Sequence, residues 1–200
     1  MLIKKYLSIF LLLIISNITF ANLAPDELVR KTADDVINEI NKDKDIKAGD
    51  REKLYKLAEE KILPNFDFVR ICRLVLGKNW RAMTVEQRDI FQVEFRGLLL
   101  RTYAIALSKF SGQTIEFKPL RMKDSDKIVL VKTEITQNGG QPINVNYALS
   151  NSTGKWLVFD IVIEGVSLVT NYRSQFSSQI KKSGIEDLLK QLSEKNNESN

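Results

Sequence analysis

Two carboxylates, Asp160 and Glu164, stand four residues apart in the apolar stretch WLVFDIVIEGVSLVTNYR, residues 156–173. Paired carboxylates are the equipment of general acid–base hydrolysis, one donating a proton while the other accepts one or attacks. On one extended strand, however, four residues at about 3.3 Å each hold their attachment points roughly 13 Å apart. Glycosidase pairs work at about 5 to 9.5 Å, so the spacing favours architecture over catalysis. Asp160 lies between Val158 and Val162 on its own strand face, and a charge there needs a partner, for which Arg173 is a candidate. Glu164 precedes Gly165, where the chain must turn. Glu164 or Ser167 could accept hydrogen bonds from the free amides of a following helix. Asp160, Glu164 and Arg173 are therefore expected to be structural anchors.

Other chemistry is sparse. Cys72 is the only cysteine, which rules out an intrachain disulfide, and it sits inside an apolar helical pattern as a packed thiol would. The chain contains no histidine. That removes imidazole-based triads and the usual zinc sites together. There is no GxxxxGK phosphate loop, no GxGxxG fingerprint and no calcium loop, so no catalytic residue, metal or cofactor is expected. Arg70, Arg73, Lys78, Arg81 and Arg88 cluster along the sequence, either as a solvated face or as a surface for an acidic partner or anionic headgroups.

Residues 1–21, MLIKKYLSIFLLLIISNITFA, have the form of a cleaved export signal: Lys4 and Lys5, an apolar run from Tyr6 to Ile15, then Thr19 and Ala21 before the expected cut at Asn22. The apolar run is shorter than the roughly 20 residues a membrane-spanning helix needs, and no cysteine follows the cut as in a lipoprotein. Cleavage leaves 28 basic and 25 acidic residues, a net charge of +3. Such a mild excess, on an exported chain, argues against nucleic acid as a partner. Residues 22–200 fit one domain with a substantial core.

What must position these residues is legible in the hydrophobic period. Helical spacing runs from Pro25 to about Gly112, interrupted at Asn41 to Gly49 and at Pro64, with Gly77 as a helix terminator. Thr84-Val-Glu-Gln87 has the form of a capping box, and Phe91, Phe95, Leu98, Leu99, Tyr103, Ala106, Leu107 and Phe110 follow it at steps of three and four. The period then falls to two over Thr114–Lys118, Ile128–Ile135, Ile143–Leu149 and Lys155–Ile163. Turns are expected at Asn138–Gly140 and Asn151–Gly154. The last strand is apolar on both faces and must be covered on both. Helical spacing returns past Gly165, breaks at Gly184, and gives way to a polar tail, 193–200, expected to fray. This order predicts an α+β fold: N-terminal helices, an antiparallel sheet of four strands, or five, and C-terminal helices.

Taken together, Phe66-Asp-Phe68, Leu76-Gly-Lys-Asn-Trp80, Thr84 with Gln87, Phe91 and Phe95, Leu99 with Thr102-Tyr-Ala104, Val158-Phe-Asp160 and Glu164-Gly-Val-Ser-Leu-Val-Thr-Asn-Tyr-Arg173 resemble the MlaC, or toluene-tolerance, family. The resemblance spans roughly Leu28 to Leu192. It implies a periplasmic carrier whose sheet and helices enclose an apolar cavity for the acyl chains of a glycerophospholipid, carried as cargo. It also implies two partners, an outer-membrane lipoprotein complex and an inner-membrane ABC lipid transporter complex. The wall residues expected for such a cavity are Val129, Val131, Val145, Tyr147, Leu149, Val158 and Val162 from the sheet. Phe95, Leu99, Tyr103, Val166, Leu168 and Val169 complete the set. Each would serve equally well in a solid core, as in a periplasmic scaffold or adaptor without a small ligand.

Overall fold

The computed structural model describes residues 23–110, 112–136 and 140–197. The expected export signal at 1–21 lies outside the described residues, as does the Asn138–Gly140 turn apart from Gly140. Helices open the chain. α1 (Pro25–Lys42) places a proline in its first turn, where a missing N–H breaks no helical bond, and Asp26 and Glu27 at the positive end of its dipole. The polar stretch after it folds into a short α2 (Lys44–Ala48), because the Asp43 carboxylate accepts from the amides of Asp45 at 2.8 Å and Ile46 at 3.3 Å. α3 (Arg51–Leu57), capped by Asp50, runs into a π-helical turn (Ala58–Ile62) and a 3₁₀ turn (Leu63–Asn65) containing Pro64.

α4 (Phe68–Leu76) ends at Gly77, whose φ of 55° suits glycine, and a single turn, α5 (Asn79–Ala82), leads to the long α6 (Val85–Ser108). The expected capping box is formed: Gln87 N–H donates to Thr84 Oγ1 at 3.1 Å, and Thr84 N–H donates to Gln87 Oε1 at 2.9 Å.

The sheet is an antiparallel meander of five strands: β1 (Thr114–Phe117), β2 (Ile128–Thr136), β3 (Ile143–Ser150), β4 (Leu157–Ile163) and β5 (Val166–Ser167). The fifth strand follows from a two-residue turn, with Glu164 at φ 47° and Gly165 at φ 80°. Positive φ at both central residues is what a type I′ hairpin requires. On the other side of β4, Phe66 makes a parallel bridge to Val158, and Asp67 N–H donates to the Val158 carbonyl at 2.9 Å. No residue of β4 is exposed, in agreement with its two apolar faces.

The register of β3 against β4 contains a bulge. Leu149 faces Val158 but Ala148 faces Asp160, so Phe159 has no partner on β3. From there on the inward and outward faces of β4 are exchanged relative to strict alternation.

α7 (Leu168–Asn197) is two helices joined at Gly184, which is non-helical at φ 87° and ψ 173°. The expected fraying from Ser193 is not observed as far as Asn197. Leu192 packs in the core, and Asn196 Nδ2 donates to the Glu94 carbonyl at 3.1 Å, holding the last turns against α6.

Three apolar clusters hold these elements. One joins α4, α6 and α7 around the rings of Phe91, Phe95, Tyr172 and Phe176. A second packs Val29 of α1 on Val129, Val131, Leu149 and Val158 of the sheet. The third joins α1, α2, α3 and α6 around Ile40, Leu54 and Ala104.

Candidate functional site

These clusters do not meet in the middle. Between them lies a cavity of about 430 Å³, walled by α1, the turns after α3, α4, α6, the sheet and the start of α7. Its wall is almost wholly apolar. Leu28, Val36 and Ile40 come from α1, and Leu99, Leu107 and Phe110 from α6 and its end. Ile115, Ile135, Ile161 and Ile163 come from the sheet. Many of these residues are only half-buried although they point inward, because one side of each meets open space. Tyr147 belongs to this wall, and its low-dielectric surroundings push its hydroxyl up to about 12, so it is neutral at physiological pH.

The structure divides the expected wall residues in two. Phe95, Leu99, Tyr103, Val145, Tyr147, Val158, Leu168 and Val169 border the cavity. Val129, Val131, Leu149, Val162 and Val166 do not. Val129, Val131 and Leu149 are buried in one cluster with Val29 of α1 and Trp156. Val162 pairs with Asn146, on the opposite face from the wall residues Ile161 and Ile163, because the bulge at Phe159 exchanged the faces. Val166 is 56% exposed beside the β4–β5 turn.

Asp160 has hydrogen-bond partners other than the one expected. Its Oδ2 accepts from the Ser167 hydroxyl at 2.6 Å and its Oδ1 from the Val169 N–H at 3.0 Å, while Ser167 Oγ accepts from the Thr170 N–H at 3.0 Å. The carboxylate thus satisfies free donors at the start of α7 and sets Leu168 and Val169 against the cavity. Arg173 does not pair with it. Its guanidinium lies over Gly77, where an added Cβ would stand 3.0 Å from the nearest Nη, at the negative end of the α4 dipole. Glu164 caps no helix. Its carboxylate accepts from the Asn144 N–H, and its own N–H donates to the Asn144 carbonyl at 2.9 Å, tying the turn to β3.

The basic run does not form one free face. Arg70 donates to Ser150 Oγ at 2.7 Å and stands over the Phe159 ring, while Arg73 and Arg88 flank the Trp80 ring. Cys72 is fully buried, and burial pushes its thiol up to about 12, so the nucleophilic thiolate is absent at neutral pH. Iodoacetamide at pH 8 is expected to leave the native protein unmodified and to add one group per chain in guanidinium chloride, as read by intact mass. Labelling of the native protein at the unfolded rate would contradict that burial.

Comparison with known proteins agrees with this architecture. A family model described as MlaC protein matches residues 30–194. The chain is similar to the intermembrane phospholipid transport system binding protein MlaC of Haemophilus influenzae, with 24% identity over 95% of this chain and 92% of the relative. It is 25% identical to toluene tolerance protein ttg2D of Pseudomonas putida, over 84% of this chain and 78% of that one. Among solved structures it resembles a phospholipid-binding protein from Ralstonia solanacearum in complex with a phospholipid. That match has a TM-score of 0.83 and 34% identity, covering 88% of this chain and 98% of the other.

Proposed function

The chain belongs to the MlaC family, and on that premise we propose that it is a periplasmic phospholipid carrier, shuttling glycerophospholipid between an outer-membrane lipoprotein complex and an inner-membrane ABC transporter complex. The observation that carries this reading is the apolar cavity of about 430 Å³ between sheet and helices. If a methylene occupies about the volume of a water molecule, roughly 30 Å³, the space holds on the order of 14 methylenes. At about 0.8 kcal/mol each, enclosing them is worth roughly 11 kcal/mol. No catalytic step is assigned, since Asp160 and Glu164 both serve the backbone around the cavity.

Native mass spectrometry with lipid extraction tests the reading. Protein purified from its host envelope is expected to carry glycerophospholipid and, once stripped, to take it up again from vesicles. Protein that repeatedly emerges without phospholipid and accepts none from vesicles refutes it.

A further inference from the structure

The wall of the cavity carries two charged residues, Arg96 and Asp160. Both Asp160 oxygens are engaged by Ser167 and the Val169 amide. Arg96 is in a different situation. It follows Phe95 on α6, it is exposed to solvent, and it still borders the cavity. Its guanidinium carbon lies 5.4 Å from the centre of the Phe68 ring, itself part of the wall. Among the described residues no carboxylate pairs with it. The charged group on that wall whose polar atoms are not taken up by the protein is therefore the positive one, and it stands where the wall meets water.

A guanidinium in this position suits one ligand chemistry in particular. Its planar fork matches the oxygens of a phosphate, and the aromatic face beneath it limits the orientations it can adopt. A lipid with its chains among Leu99, Tyr103 and Val169 must leave its polar end at the boundary with water. Resting on the phospholipid reading, we propose that Arg96 is the phosphate-binding residue of the cavity mouth, receiving the phosphodiester of a lipid whose acyl chains occupy the cavity. Arg96 then contributes recognition of the phosphate common to these lipids, while the substituent beyond it stays in solvent.

The test compares two fluorescent lipids with identical chains, a phosphatidylglycerol and a diacylglycerol lacking the phosphate, transferred from vesicles to stripped protein. Arg96→Gln is expected to weaken phosphatidylglycerol uptake about tenfold, or about 1.4 kcal/mol, and to leave diacylglycerol uptake unchanged. Arg96→Lys, which keeps the charge but not the fork, is expected to fall between. Excess inorganic phosphate should leave uptake by the unmodified protein undisturbed. Equal losses for both lipids, or no loss for either, overturn the assignment while leaving the carrier reading in place. Arg96-dependent binding of inorganic phosphate to the empty protein overturns it in favour of a free-anion site. If the unmodified protein takes up neither lipid, the carrier reading itself fails, and the Arg96 assignment with it.

Discussion

Replacing Leu99 and Val145 together with tryptophan is expected to yield a folded protein that purifies with almost no phospholipid. Both residues border the cavity, one from α6 and one from β3. Enlarging a side chain in a packed core costs about 1–3 kcal/mol at each position, because neighbours must leave their preferred rotamers. Enlarging one into open apolar space has no such cost, and each indole finds about 150–250 Å² of apolar surface to cover. The stripped double variant should therefore melt at or above the stripped parent while its lipid occupancy, read by native mass spectrometry, falls from near full to near zero. Lipid retained at the parental level would place the cargo elsewhere. A collapse in melting temperature would show a solid core, as the scaffold reading requires.

The same cavity bears on why cargo and stability should be coupled. At about 24 cal/mol per Å³, the slope found when core side chains are cut away, a sealed void of 430 Å³ would cost on the order of 10 kcal/mol. That is comparable with the whole stability of an ordinary domain, about 5–15 kcal/mol. The three clusters around the hollow supply much of its wall, and a ligand that fills it binds the native state alone and stabilises it by mass action.

Sequence patterning foretold the elements well and the cavity only in part. The capping box at Thr84 and Gln87, the break at Gly184 and the glycine-led turn at Glu164 each rest on local chemistry, so they can be read one residue at a time. The alternation of Val145 and Tyr147 on β3 likewise identified an inward face. Past Phe159 the same logic failed on β4. An unpaired residue in a bulge looks like any other strand residue, and the slip turned attention to Val162 in place of Ile161 and Ile163. The distinction between wall and filled core is harder still. Val131 and Val145 are both inward valines on neighbouring strands, yet one is 1% exposed and the other half-buried against open space. What separates them is where α1 ends its contact with the sheet, a tertiary fact with no local marker. For the same reason the helical spacing that starts at Pro25 did not mark Leu28, Val36 and Ile40 as cavity wall. Arg96 belongs to no motif that would single it out in the sequence.

Asp160→Ala is expected to cost about 3 kcal/mol of stability. The substitution removes the acceptor of both the Ser167 hydroxyl and the Val169 amide. Hydrogen bonds to a charged group contribute about 1.5–3 kcal/mol each and helix caps about 0.5–2 kcal/mol. Because both act on one turn of α7 they are not additive in full. For a chain of this length about 3 kcal/mol lowers the melting temperature by roughly 6–12 °C. Asp160→Asn should lose about half as much, since Oδ1 can still accept from Val169. Glu164→Ala, which removes an exposed tie to β3, should cost about 1 kcal/mol. Lipid retention should follow the same order, because the turn that Asp160 holds presents Leu168 and Val169 to the cavity. A catalytic carboxylate behaves in the opposite way, since its removal abolishes turnover and leaves the fold intact. Thermal denaturation of the three variants therefore separates the two roles: an Asp160→Ala protein that melts with the parent would return the carboxylate pair to consideration as chemistry.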